Sequence, residues 1–135
     1  MLVSVLASSS KGNSVYIKTT HHELLIDAGM NAKYLEEKLK ENETSLKNID
    51  YILITHTHSD HVSALNTITK KYNPTLIMTS LMFQDLPYLE KYDNIQILFD
   101  DNADVRKSWD NDKKKNRTSV DATKNIIDVL LGLLM

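Results

Sequence analysis

The sequence predicts a layered α/β domain. Between residues 23 and 99, short runs of apolar and β-branched residues alternate with segments in which apolar residues recur at helical spacing. The chain has 135 residues, 41% of them apolar and 25% charged, the profile of one domain able to bury a modest core. Turn-forming Gly, Asn, Asp and Ser residues stand between the runs and punctuate them.

Taken in order, Leu2 to Leu6 and Ser14 to Thr19 read as strands, with Ser8 to Asn13 as the tight connection of a hairpin. After the polar turn Thr20-His21-His22, Glu23 to Asp27 gives a third short strand, closed by Ala28-Gly29. Asn31 suits a helix N-cap, and Ala32, Leu35 and Leu39 among Lys and Glu predict an amphipathic helix to about Glu41. Ile49 to Thr55 is nearly continuous in apolar, largely β-branched residues, as in a central strand covered on both faces. Val62, Leu65, Ile68 and Tyr72 predict one helix over residues 61 to 72. Thr75 to Met78 is the next strand. Ser80 can cap a short helical segment that Pro87 interrupts, and Asn94 to Phe99 is a further strand before the turn at 100–102.

Past Val105 the composition changes. Residues 106–125 are almost entirely polar and read as a linker or mobile segment, and 126–135 as an apolar C-terminal helix. Ten apolar residues fall well short of the roughly 20 that span a bilayer, and the apolar start at Leu2 has no basic residue before it, so neither end predicts a membrane segment or a signal peptide. A cytoplasmic protein is the expectation.

The 16 basic and 18 acidic residues leave a formal charge of −2, which excludes a bulk positive field that would draw the chain onto nucleic acid. A polyanionic substrate would have to be held locally. The absence of cysteine removes disulfides, thiolate metal sites and cysteine nucleophiles together, so metal ligands must be His, Asp or Glu.

Three of the five histidines fall within six residues, in His56-Thr57-His58-Ser59-Asp60-His61. On extended backbone, residues two apart point to one side, which brings His56, His58 and Asp60 together, while His61 follows at a helix start. Imidazole and carboxylate suit zinc, and manganese or iron is compatible with the same set. The loop follows an apolar strand and leads into a helix, the place where ligand crevices open in α/β sheets. The bland alternative is a polar loop that happens to be rich in histidine.

Thr55-His56-Thr57-His58-Ser59-Asp60-His61 resembles the hallmark motif of the metallo-β-lactamase-fold superfamily. Leu6-Ala-Ser-Ser-Ser-Lys-Gly-Asn-Ser14 and Leu24-Leu-Ile-Asp-Ala-Gly29 are similar to the opening of its small bacterial and phage branch, related to DNA exonucleases and nucleotide phosphodiesterases. The likeness covers about residues 1–100. It implies the N-terminal half of an αββα sandwich, cut short near Val105, with residues 1–105 as the half-domain. It also implies two divalent metal ions, zinc first, one held by His56 and His58 and a second by Asp60 and His61. Asp60 would further hold or deprotonate the attacking water, and Asp27 would support the ligands. A metal-dependent hydrolase of phosphodiester bonds in nucleic acid or nucleotides is the implied activity. The alternative is an inactive fragment that serves as a binding module.

The superfamily's later ligands have no counterpart here, since no histidine follows His61. A homo-oligomer or a separate chain could supply the missing half, or it could be absent altogether, and one sheet face would then stay uncovered. Asp27 could instead cap a turn. Asn13 and Ser14 could touch substrate, although Gly12-Asn13 suits a hairpin turn better; His21 and His22 are expected to be solvated, and Lys113 to Lys115 to be an exposed charge run.

Overall fold

The computed structural model describes residues 1–98 and 117–120. Seven strands form one sheet in sequence order: β1 (Leu2–Ser9), β2 (Gly12–Lys18), β3 (Glu23–Ile26), β4 (Tyr51–Leu53), β5 (Thr75–Thr79), β6 (Ile95–Leu98) and β7 (Arg117–Val120). The first two pairings are antiparallel and the remaining four parallel. The hairpin is tighter than the sequence suggests. Ser9 pairs with Gly12 across a turn of only Ser10 and Lys11, so Gly12 and Asn13 belong to β2 rather than to the turn.

Helix α1 (Ala32–Glu41) has the predicted bounds, and the side chain of Asn31 accepts the N–H of Tyr34 at 2.8 Å. Its Leu35 and Leu39 are fully buried, and burial of each contributes roughly 1.5–3 kcal/mol. With Leu65 and Ile68 of α3 (Leu65–Lys71) they cover one sheet face, built from Tyr16, Leu25, Ile52, Leu76, Met78, Ile95 and Ile97.

The opposite face carries a second apolar cluster drawn from strands alone: Leu24, Ile77 and Leu98, with Ile17, Ile26, Tyr51 and Leu53 half-buried around them. Val3 and Val5 of β1 continue it and are 56% and 63% exposed. On this second face β4 is covered less completely than on the first. Ile52 and Ile54 are buried while Tyr51 and Leu53 are half-exposed. Only three residues of the predicted seven count as strand, although the N–H of Ile54 still reaches the carbonyl of Ile77 at 3.0 Å.

The single helix expected over 61–72 is in fact two, α2 (Ser59–Val62) and α3. The loop after β3 breaks it: the N–H of Ala64 goes to the carbonyl of Ala28 at 2.9 Å, and the hydroxyl of Ser63 to the carbonyl of Met30 at 2.6 Å. These tertiary bonds replace the helical ladder at its middle. Helix α4 (Ser80–Gln84) is capped by Thr79, whose hydroxyl accepts the N–H of Met82, and not by Ser80, because Thr79 is the last residue with extended backbone. Pro87 opens a separate 3-10 turn, Pro87–Leu89.

Within the linker expected at 106–125, residues 117–120 form strand β7, and the rest of that segment lies outside the described residues. The open edge of β6 offers a row of unpaired N–H and C=O groups, and a short polar stretch with β-branched Thr118 and Val120 satisfies them as an edge strand. The expected helix at 126–135 and the charge run at Lys113 to Lys115 lie outside the described residues. Among the described residues no helix is long and apolar enough to cross a membrane.

Candidate metal centre

The parallel strands β3 to β6 deliver their C-terminal ends to one side of the domain, and the His loop opens there from β4. Thr55 to His58 cross the end of the sheet, and His58 is the N-cap of α2. One ligand atom from each of His56, His58 and Asp60 lies within 4.8 Å of the others. Asp60 stands in the first helical turn rather than on extended backbone, so the spacing argument brings the three together through a different local geometry. His56 and Asp60 are half-buried and His58 is exposed.

His61 completes the cluster from inside. Its ring centroid is 3.6 Å from that of His56, and its Nε2 is 3.3 Å from Oδ2 of Asp60. Its Nδ1 meets Oδ2 of Asp27 at 2.7 Å, which assigns the ring proton to Nδ1 and leaves the lone pair of Nε2 facing the cluster.

Asp27 is buried, and its carboxylate gathers three groups of the site. Besides His61, it accepts the main-chain N–H of Thr55 at 2.8 Å and the hydroxyl of Thr55 at 2.6 Å, and that hydroxyl lies 3.2 Å from Nδ1 of His56. One side chain thus fixes both ends of the loop. The position demands a left-handed backbone, φ 63°, which a short polar residue such as Asp tolerates better than most. Asp27 does not cap a turn here, since its side chain reaches across to the loop.

Close packing holds the loops in place. A side chain at Gly29 would put its Cβ 2.1 Å from the carbonyl oxygen of Asp60 and 2.4 Å from the nitrogen of Asn13, so only glycine allows α2 and β2 to approach. Ser14 is buried and donates to the carbonyl of Asp27 at 2.8 Å, which makes it a backbone anchor. Thr57 donates to Asp85 at 3.1 Å, tying the loop to the end of α4.

Asn13 comes into the cluster where the sequence suggested a turn: its amide donates to Oδ2 of Asp60 at 3.0 Å. The signal that could have found it is the hairpin length, because a two-residue turn at Ser10-Lys11 moves Asn13 onto a strand that ends beside the loop. His21 and His22 lie at the other end of the sheet. His21 is exposed, whereas His22 is half-buried, edge-on to the ring of Tyr51 at 5.4 Å and 3.5 Å from Asp50, so it is less solvated than expected.

The donor set fits a divalent cation of borderline character. Two imidazoles and a carboxylate converge, and a third imidazole is oriented beside them by a carboxylate, the arrangement by which metal-binding histidines are commonly held.

Known proteins resemble this chain in sequence and in fold. The chain is 38% identical over 96 residues to exodeoxyribonuclease WalJ of Streptococcus pneumoniae, covering 69% of this chain and 36% of that protein. It is 43% identical over 70 residues to exodeoxyribonuclease YycJ of Bacillus anthracis, covering 52% of this chain and 26% of that protein. The chain therefore spans about a third of the length of the curated relatives it matches. Among solved structures, a metallo-beta-lactamase of Cronobacter sakazakii with a HARLDQ motif superimposes with a TM-score of 0.55 at 20% identity, over 62% of this chain and 32% of that one. The Rm3 metallo-beta-lactamase gives 0.55 at 22%, with the same coverage. These structures are similar in fold. The model of the metallo-beta-lactamase superfamily matches residues 10–132, and the chain belongs to that superfamily.

Proposed function

We propose that this chain carries half of the active site of a metal-dependent phosphodiester hydrolase acting on nucleic acid or nucleotides. The convergence of His56, His58 and Asp60 at the C-terminal end of the sheet carries the proposal. The substrate class is supported by the names of the two exodeoxyribonuclease relatives.

In this reading His56 and His58 would hold one divalent ion, and Asp60 with His61 a second; zinc would suit the donors best, with manganese or iron compatible. Such ions polarise a scissile phosphoryl group and make water a nucleophile near neutral pH. Asp27 holds the proton of His61 at Nδ1, so that the ring keeps one tautomer. The Asp60 carboxylate would hold or deprotonate the attacking water. Because the chain carries no net positive charge, the phosphate is gripped at the site and not by a surrounding field.

Cleavage of single- and double-stranded DNA oligonucleotides with added zinc or manganese tests the proposal, with His58→Ala as control. Metal-dependent cleavage lost in the variant supports it, and cleavage that survives the substitution counts against it. A second reading, a binding module, is favoured by Val3 and Val5 of β1, apolar side chains that are 56% and 63% exposed. It expects His58→Ala to leave binding unchanged.

A further inference from the structure

Asp60 stands in a helix of only four residues, and the contacts of its carboxylate among the described residues are the ring of His61 and the amide of Asn13. Asn13 is much more firmly placed. It sits in β2 with its main-chain carbonyl accepting the N–H of Gly29 at 2.9 Å. Its side-chain nitrogen donates to the carbonyl of Ser9 at 3.0 Å and to Oδ2 of Asp60 at 3.0 Å, and lies 3.4 Å from Nε2 of His61. An amide nitrogen has two protons. Ser9 and Asp60 take both, so the plane of the amide is fixed from two directions.

We propose that Asn13 is a positioning residue of the metal centre: its amide holds Oδ2 of Asp60 and so presents the carboxylate to the cluster of His56, His58 and His61. The inference rests on the metal-centre reading above. A ligand carboxylate that must be ordered when an ion arrives loses rotational freedom at that moment, whereas one already held does not. Loss of the hydrogen-bond partner of a metal ligand typically lowers metal affinity about 10–100-fold. The hairpin that opens the chain is thereby part of the site through a residue that contacts no ion.

The test is cobalt(II) titration of the full chain followed by its visible d–d absorption, for the wild type, Asn13→Ala, Asn13→Ser and His58→Ala, with thermal unfolding of each metal-free protein. Both Asn13 variants are expected to bind cobalt about 10–100-fold more weakly and with an altered d–d band. The Tm of metal-free Asn13→Ser should stay near that of the wild type. If Asn13→Ala does not fold, Asn13→Ser decides. Wild-type affinity and band in a folded Asn13 variant would overturn the role of Asn13 alone. A wild type that binds no cobalt, or binds it equally well after His58→Ala, would remove the metal-centre reading and the role of Asn13 with it.

Discussion

Strand β3 ends in a carboxylate on each side, and the two behave differently. At its start, Glu23 accepts the phenol of Tyr16 at 2.6 Å and the hydroxyl of Thr44, with both donors belonging to the packed body of the domain. Just past its end, Asp27 accepts from Thr55 and His61, whose own remaining atoms turn toward His56 and Asp60. The Glu23 network ties Tyr16 of β2 to Thr44 after α1, within the body of the domain. The Asp27 network is open: Nε2 of His61 still faces Asp60, and the hydroxyl of Thr55 still faces His56. A buried carboxylate next to a sheet is not by itself a functional signal, but a carboxylate whose partners still have unused ligand atoms is one.

Substitutions at the two ends should separate along this line. The largest effect is expected from Asp27→Ala, which strands Thr55 and His61 and puts alanine at positive φ. We expect a stability loss of about 3 kcal/mol from the broken buried pair, with about 1 kcal/mol more from backbone strain, and loss of metal binding. Chemical denaturation and metal titration would measure both. Gly29→Ala comes next, at roughly 2–3 kcal/mol, since its Cβ would collide with main-chain atoms of α2 and β2 that cannot swing away. If it unfolds no more easily than wild type, the close approach there is softer than the geometry implies.

Tyr16→Phe should cost only about 1 kcal/mol and leave metal affinity unchanged. It carries a pH signature as well. Burial, and then the Glu23 carboxylate as hydrogen-bond partner and neighbouring charge, pushes the Tyr16 phenol well above its ordinary value. A phenol whose folded pKa is raised contributes stability that is complete below the unfolded value near 10 and is lost as pH rises through the folded one. Unfolding free energy should therefore fall as pH rises above about 10, and fall less steeply in Tyr16→Phe. An identical slope in both proteins would show that Tyr16 is not the group responsible.

Much of this architecture is legible in the residues. The alternation of β-branched runs with Leu35/Leu39 and Leu65/Ile68 spacing gives the layer order, and Asn31 marks a helix start because its side chain can reach back to the N–H of Tyr34. The break between α2 and α3 is not legible, because it is made by carbonyls of Ala28 and Met30, about 35 residues upstream in sequence. Strand β7 was hidden by polarity, since an edge strand needs backbone pairing more than an apolar face. At the site, the four loop residues declare themselves by residue type and spacing. Asn13 does not, because an amide beside a glycine reads as a turn until the hairpin register is known.

The metal content of the purified chain, measured by elemental analysis alongside His58→Ala, tests the central claim most directly. The account expects at least one divalent ion per wild-type chain and a large loss in the variant. A metal-free wild type, or a variant that keeps its metal, would contradict it.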